Sequence, residues 1–176
     1  GITDFYFTGI TLAVCRSGIE ILVKLLRQLR QRDCGVIFDP NYRVNLWQNQ
    51  PQAQDYYHQV LPLCTTVLGT LDDDARLWGI QEVDACREFY LGFGLIANVI
   101  SNVALTAHAF GGGEQVVKSA PPVSALDTTG AGDSFNAGYL AARFQGKPMD
   151  VAISAAQALA ARVVQYRGAI IPGIEQ

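Results

Sequence analysis

Apolar and polar positions along this chain alternate between two periods. Asp4 to Thr8 is aromatic and β-branched, which predicts a strand closed by Gly9. Ile19, Leu22, Leu25, Leu26 and Leu29 then fall at helical spacing behind Ser17-Gly18-Ile19-Glu20, which reads as a capping box; the helix runs to Arg30 and Arg32 and ends at Gly35. Val36-Ile37-Phe38 is a short unbroken apolar run, as in a parallel strand buried on both faces, so the opening of the chain reads as a βαβ unit. The alternation continues with a helix from Gln52 to Leu63, a strand around Thr65 to Leu68, an acid-opened helical turn from Leu71 to Gly79 and a helix from Val83 to Leu91. Val99-Ile100 and Val103 to Leu105 are candidate strands, and Gly111-Gly112-Gly113 is a turn before a strand at Gln115 to Lys118. Val123 to Leu126 reads as the end of a further strand, and Asp133 to Phe144 as a helix stopped near Gly146-Lys147-Pro148. A last helix, Met149 to Gln165, presents Val151, Ala155, Ala158, Leu159 and Val163 for close packing, with Gly168 as its cap. Alternating strands and helices predict an α/β fold with a largely parallel sheet flanked by helices.

Composition narrows the function classes. The chain has 176 residues, 49% of them hydrophobic and 16% charged, which is enough to bury one domain's core and excludes a disordered or fibrous chain. A formal net charge of -3 without a basic cluster excludes the electrostatic footprint of a nucleic-acid binder and favours small-molecule chemistry. Cys15, Cys34, Cys64 and Cys86 are widely spaced with no Cys-x-x-Cys pair, and with no signal peptide in the sequence they read as reduced thiols of a cytoplasmic protein. His58 and His108 stand far apart and unaccompanied, which argues against a metal site built from protein ligands alone. The apolar stretch Leu95 to Leu105 is too short for a membrane span and carries Asn98, Ser101 and Asn102.

The richest chemistry lies in Asp127-Thr128-Thr129-Gly130-Ala131-Gly132-Asp133-Ser134-Phe135-Asn136-Ala137-Gly138-Tyr139-Leu140, where a small-residue turn meets a helical pattern. The first N–H groups of a helix lack internal acceptors and carry partial positive charge, so an anion is the natural guest, and Gly130, Ala131 and Gly132 leave it room. Asp133 at the helix opening reads in two ways: as a base taking a proton from a hydroxyl that attacks a phosphate, or as an ordinary helix cap beside a tight turn. Asp39-Pro40-Asn41-Tyr42-Arg43 is a polar turn at the carboxyl end of a strand, where open α/β sheets bind ligands; Arg43 is either a solvated charge or a forked donor to a carboxylate or phosphate. Asp72-Asp73-Asp74 invites a metal reading, but acids in a first helical turn also complement the dipole, and that reading is preferred.

The string from Asp127 to Leu140 resembles the second signature of the ribokinase-like (PfkB) carbohydrate kinases at every constrained position. Val36 to Trp47, with Phe38-Asp39-Pro40-Asn41-Tyr42-Arg43 and Leu46-Trp47, is similar to the subgroup of 2-keto-3-deoxygluconate kinases; the Leu-Asp-Asp and Leu-Trp-Gly pattern of residues 71–79 resembles the same kinase family, and the tail from Gln165 to Pro172 resembles that of sugar-acid kinases. The resemblance implies a three-layer α/β/α fold with a mostly parallel central sheet, and a sugar-acid kinase that uses ATP with magnesium bridging the nucleotide phosphates. It implies Asp133 as catalytic base, also touching substrate, and Gly130, Ala131 and Gly132 as the anion hole, with Asn41 and Tyr42 among the nucleotide contacts. Arg43 falls to the substrate carboxylate or to a nucleotide phosphate; no protein metal ligand is implied, and self-association is compatible with the family. Whole family members are longer at the amino end, so residues 1–176 read as the carboxyl-terminal part of a single kinase domain, with little or no activity expected from them alone. The sequence departs from the family at Ser101 and Val103, which occupy the Lys and Gly positions of a Val-Lys-x-Gly-Ala-type nucleotide loop, and the nucleotide contacts of that segment are left unassigned. A kinase for another sugar and a non-catalytic sugar or nucleotide binding module are the alternatives. A dinucleotide-binding oxidoreductase needs a glycine where Phe135 stands, and is set aside.

Overall fold

A computed structural model describes residues 1–101 and 105–171. Six strands lie in one sheet in chain order: β1 (Asp4–Thr8), β2 (Gly35–Asp39), β3 (Thr66–Thr70), β4 (Ala97–Ser101), β5 (Thr106–Gly111) and β6 (Glu114–Ser119). β1 to β4 pair in parallel, with Phe7 beside Phe38, Phe38 beside Val67 and Leu68 beside Val99. β5 returns as β6 through Gly112-Gly113, both at positive φ (59° and 81°), the conformation a two-residue hairpin connection demands. The helices are α1 (Gly9–Val14), α2 (Ile19–Arg30), α3 (Gln50–Val60), α4 (Leu71–Trp78), α5 (Val83–Leu91), α6 (Ala131–Phe144) and α7 (Met149–Val163). The sequence stretch Val103 to Leu105 lies largely outside the described residues, and Leu105 sits at φ +60° before β5.

Two compact units make up the chain: Gly1–Asn102 with Phe110–Gln115, and Val103–Ala109 with Val116–Gln176. The first is built around an unbroken apolar β2, whose Val36, Ile37 and Phe38 are all buried, as a strand covered on both faces requires. Phe38 meets Phe7 at 4.8 Å and Tyr57 edge-on at 5.3 Å, while Trp47 and Trp78 reach the same Tyr57 ring at 5.8 and 6.2 Å. Leu22, Leu26 and Leu29 turn one face of α2 into this core, each contributing about 1.5–3 kcal/mol by burial. In the second unit α6 and α7 pack with almost no room between backbones: a Cβ on Gly138 would stand 2.9 Å from Ala156 Cα.

Several boundaries differ from the sequence expectations for physical reasons. Ser17 forms no capping box; Arg16–Gly18 is already a 3₁₀ turn, so Ser17 is not in the extended conformation a cap needs, and Gly18 precedes α2 without a side-chain bond. The box forms instead at α1, where Thr8 accepts the Thr11 N–H at 3.2 Å and Thr11 accepts the Thr8 N–H at 3.4 Å. Gly35 does not end α2 but opens β2. Val123 to Leu126 is not a strand: the stretch follows Pro121-Pro122, which lack N–H donors, and its residues are exposed, with the Leu126 N–H donating to Val164 C=O at 2.7 Å. Gly168 caps no helix, because α7 ends at Val163 with Val164 as its cap. The buried face of α7 is Ala152, Ile153, Ala156 and Val163, whereas Val151 and Ala158 are exposed.

Candidate active site

The helix α6 begins at Ala131, one turn earlier in its logic than a cap at Asp133 would require. Gly130 is the residue before the helix, in the left-handed conformation (φ +78°), and it makes no side-chain cap. Asp133 is therefore the third helical residue, exposed, with its carboxylate outside the capping position. Ala131 donates its N–H back to Thr128 C=O at 3.1 Å and so is committed within the turn; the helical bonds start with Ser134 N–H to Gly130 C=O at 2.9 Å. This leaves Gly132 and Asp133 as the amides of the first turn that helix geometry gives no internal acceptor. An added Cβ on Gly132 would meet nothing within 4 Å, so the side of the turn that Gly132 faces is open.

The turn is held from behind. Asp127 accepts the Thr129 N–H on one carboxylate oxygen and the Gly168 N–H on the other, each at 2.9 Å. The Gly168 N–H above all, helped by Thr129, holds the Asp127 carboxyl down to about 2.

In the other unit, the carboxyl ends of the parallel strands gather a second polar group. Asp39 ends β2 buried and accepts the Tyr6 hydroxyl at 3.0 Å. After it comes the turn through Asn41, Tyr42 and Arg43, held at Pro40 before it and at Leu46 beyond it. Tyr57, kept protonated by burial and by the charges of Asp73 and Asp39, donates its hydroxyl to Pro40 C=O. Arg16 donates to Leu46 C=O. Arg43 projects exposed from this turn, its charge drawing down an Asp73 carboxyl that burial pushes up. Asn41 stands at φ +34°, and its buried Oδ1 accepts no hydrogen bond among the described residues. Tyr42 offers no ring to the surface: it is 3% exposed and packs edge-on to Tyr57 at 6.5 Å.

The three acids opening α4 separate by environment rather than forming a cage. Asp72 is exposed, Asp73 is half-buried beside Thr70, and Asp74 is buried, accepting Tyr90 Oη–H at 2.5 Å and Cys86 Sγ–H at 3.2 Å. Among the described residues no group of three or more His, Cys, Asp or Glu is placed to hold a metal ion. Burial outweighs the bonds to Asp74 and pushes its carboxyl from 3.8 up to about 6. A native carboxyl that binds its proton more tightly than the unfolded chain adds stability at low pH that is lost as pH rises through 6. Relative to Asp74→Asn, the protein is therefore expected to lose up to about 3 kcal/mol of stability between pH 4 and 7. Urea unfolding of both at pH 4, 5.5 and 7 checks this, and parallel pH curves would refute it.

Sequence reasoning placed Gly130, Ala131, Gly132 and Asp133 on one turn, and Asn41, Tyr42 and Arg43 on another, and the structure holds each set together within its own unit. It gave no role to Asp39, Tyr57, Asp73 or Asp127. Ser101 ends β4 with its hydroxyl 3.5 Å from Gly69 C=O, and Val103 lies outside the described residues.

A family model described as pfkB family carbohydrate kinase matches residues 4–176. The 2-dehydro-3-deoxygluconokinase of Escherichia coli strain K12 is 38% identical over 172 residues, which span 95% of this chain and 56% of that protein. The enzyme of the same name from Dickeya dadantii strain 3937 is 37% identical over the same shares. Among solved structures, aminoimidazole riboside kinase from Salmonella enterica, complexed with aminoimidazole riboside and an ATP analog, is 28% identical with a TM-score of 0.82, over 94% of this chain and 57% of that one. The chain thus spans a little over half the length of the relatives it matches. All four cysteines are free, and no helix among the described residues is long and apolar enough to cross a membrane.

Proposed function

Since the chain belongs to the pfkB family of carbohydrate kinases, with that family's α/β fold, we propose that it serves ATP-dependent phosphorylation of a sugar acid in the cytoplasm. The substrate proposed is 2-keto-3-deoxygluconate, also called 2-dehydro-3-deoxygluconate, phosphorylated on its terminal hydroxyl to 2-keto-3-deoxy-6-phosphogluconate; the names of the Escherichia coli and Dickeya dadantii relatives support it. The observation that carries the reading is the head of α6, where two amides without helical acceptors stand beside an uncrowded glycine and an exposed carboxylate. In this reading the Gly132 and Asp133 N–H groups hold the charge on the transferring phosphoryl group, while Asp133 accepts the proton of the attacking hydroxyl. The phosphorus–oxygen bond to ADP breaks as the bond to the sugar oxygen forms, and ADP leaves. Base strength matters little in a loose transition state, so positioning of the turn dominates. Magnesium, which the family resemblance implies, would come with the nucleotide and would supply positive charge against its phosphates.

Arg43 is proposed to bind the sugar-acid carboxylate, with Asn41 among the nucleotide contacts. A charge-assisted bond contributes about 1.5–3 kcal/mol, so Arg43→Ala in the full-length protein should raise the KM for the sugar acid by about 10- to 100-fold. The KM for ATP should stay near its wild-type value. ADP release measured with 2-keto-3-deoxygluconate and with neutral sugars tests both points. Equal turnover of a neutral sugar, or an unchanged KM in Arg43→Ala, would turn the reading toward a kinase for another sugar.

A further inference from the structure

Resting on the reading of Arg43 as the group that binds the substrate carboxylate, we infer that Tyr57 is a positioning residue for the turn that carries it: Tyr57 fixes Asn41 from both sides and so sets where Arg43 projects. Asn41 stands at φ +34°, a left-handed backbone that a residue other than glycine adopts at a cost and keeps only where its surroundings hold it. Tyr57 supplies the hold. Its hydroxyl donates to Pro40 C=O, which lies in the same peptide plane as the Asn41 N–H, and its ring meets the Tyr42 ring edge-on at 6.5 Å. The peptide before Asn41 and the side chain after it therefore rest on one residue of α3.

Tyr57 can serve this purpose because it is itself wedged in place. It is fully buried, with the rings of Phe38, Trp47 and Trp78 around it at 5.3, 5.8 and 6.2 Å. Gly9, at the head of α1, keeps the hydrogen bond clear: a Cβ there would stand 2.0 Å from both Tyr57 Oη and Pro40 O, in the space where the two atoms meet. Pro40 and Tyr42 are buried and Arg43 is exposed, so the anchored part of the turn ends one residue before the group that reaches for substrate. Loss of the hydroxyl removes the donor from Pro40 C=O and frees that peptide plane to turn, which lets Asn41 relax. Misplacement by about 1 Å costs on the order of 10²-fold, and a turn still held by its ring contacts should lose about 10-fold.

The test is Tyr57→Phe in the full-length protein, alone and combined with Arg43→Ala, with kinetics, thermal unfolding and NMR measured on the same preparations. The KM for the sugar acid is expected to rise about 10-fold with kcat within about twofold of wild type, as when binding shared by substrate and transition state is lost. In the Arg43→Ala background the same change should raise that KM by less than about twofold, because Tyr57 acts through Arg43. The Asn41 Cα and Cβ chemical shifts, which report its left-handed backbone, should move in Tyr57→Phe. A purely structural Tyr57 would lower the melting temperature and leave the KM of the folded protein at the wild-type level. An unchanged KM, an equal effect with and without Arg43, or unmoved Asn41 shifts would overturn the proposal. Should Tyr57→Phe fail to fold, Gly9→Ala breaks the same bond from its other side and carries the same comparison. In the wild-type protein the Tyr57 hydroxyl proton should exchange slowly enough to be seen by NMR, and a fast-exchanging hydroxyl would overturn the proposal without any variant. Failure of the reading it rests on would look different: the wild-type protein would transfer no phosphate, or Arg43→Ala alone would leave the KM unchanged, and the Asn41 shifts would still report whether Tyr57 holds the turn.

Discussion

Asp133→Asn is expected to lower kcat of the full-length protein by about 10²- to 10⁴-fold while moving its stability by less than about 1 kcal/mol. The two halves of that expectation come from the same geometry. Asp133 is the third residue of α6 and is exposed, and the residue before the helix, Gly130, supplies no side-chain cap, so the carboxylate is not holding the helix start. Its structural contribution is limited to a negative charge in the first turn, a dipole effect of about 0.3–1 kcal/mol when exposed. Asparagine preserves shape and removes the base. Kinetics at saturating ATP and sugar, set beside urea unfolding, separate the two roles. A structural carboxylate would give the reverse pattern, with stability lost and turnover kept.

Gly130→Val should be the more damaging change to the fold of the turn. Gly130 sits at φ +78°, where an L-residue costs about 1–2 kcal/mol and a β-branched one is least tolerated. Its new Cβ would also lie 2.7 Å from the Ala169 Cβ and 3.1 Å from the Ala169 Cα, so backbone has to move. Overpacking of that kind adds about 1–3 kcal/mol, for a total loss of about 2–5 kcal/mol. Activity should fall with it, because the displaced segment leads directly into Gly132 and Asp133. Gly132→Ala is the matched control: it meets nothing within 4 Å, so its stability should hold while kcat/KM for ATP falls as the methyl enters the space kept for phosphate. Thermal unfolding of both variants, with ATP kinetics, checks the contrast. Equal stability in Gly130→Val and Gly132→Ala would mean that the Ala169 contact does not constrain the turn.

Local pattern carried much of this molecule. β1 at Asp4–Thr8 and α5 at Val83–Leu91 have the bounds their residues suggest, and the unbroken apolar β2 is buried as a parallel strand. The turns bearing Asp133 and Arg43 were legible because each is a contiguous string of residues. What was not legible depends on partners far along the chain. Asp74 reads locally as a dipole-complementing acid, and only the folding of α5 against it, bringing Tyr90 and Cys86, makes it a buried, proton-binding group. Asp127 reads as the first letter of a signature, and Gly168 as a helix cap, until the two are found joined. Val123 to Leu126 has the composition of a strand but no neighbouring strand among the described residues to complete its hydrogen bonds, and an apolar run cannot report that lack. Ser17 satisfied a capping pattern, yet the 3₁₀ turn around it took away the backbone conformation on which the pattern depends.

The central claim is that the head of α6 transfers phosphate to a sugar acid. The most direct measurement incubates the full-length protein with ATP, magnesium and 2-keto-3-deoxygluconate and locates the phosphate in the product by phosphorus–carbon coupling in NMR. One phosphoryl group on the terminal oxygen, formed with stoichiometric ADP and lost in Asp133→Asn, is the predicted result. Absence of a phosphorylated sugar acid, or its undiminished formation by Asp133→Asn, would contradict it.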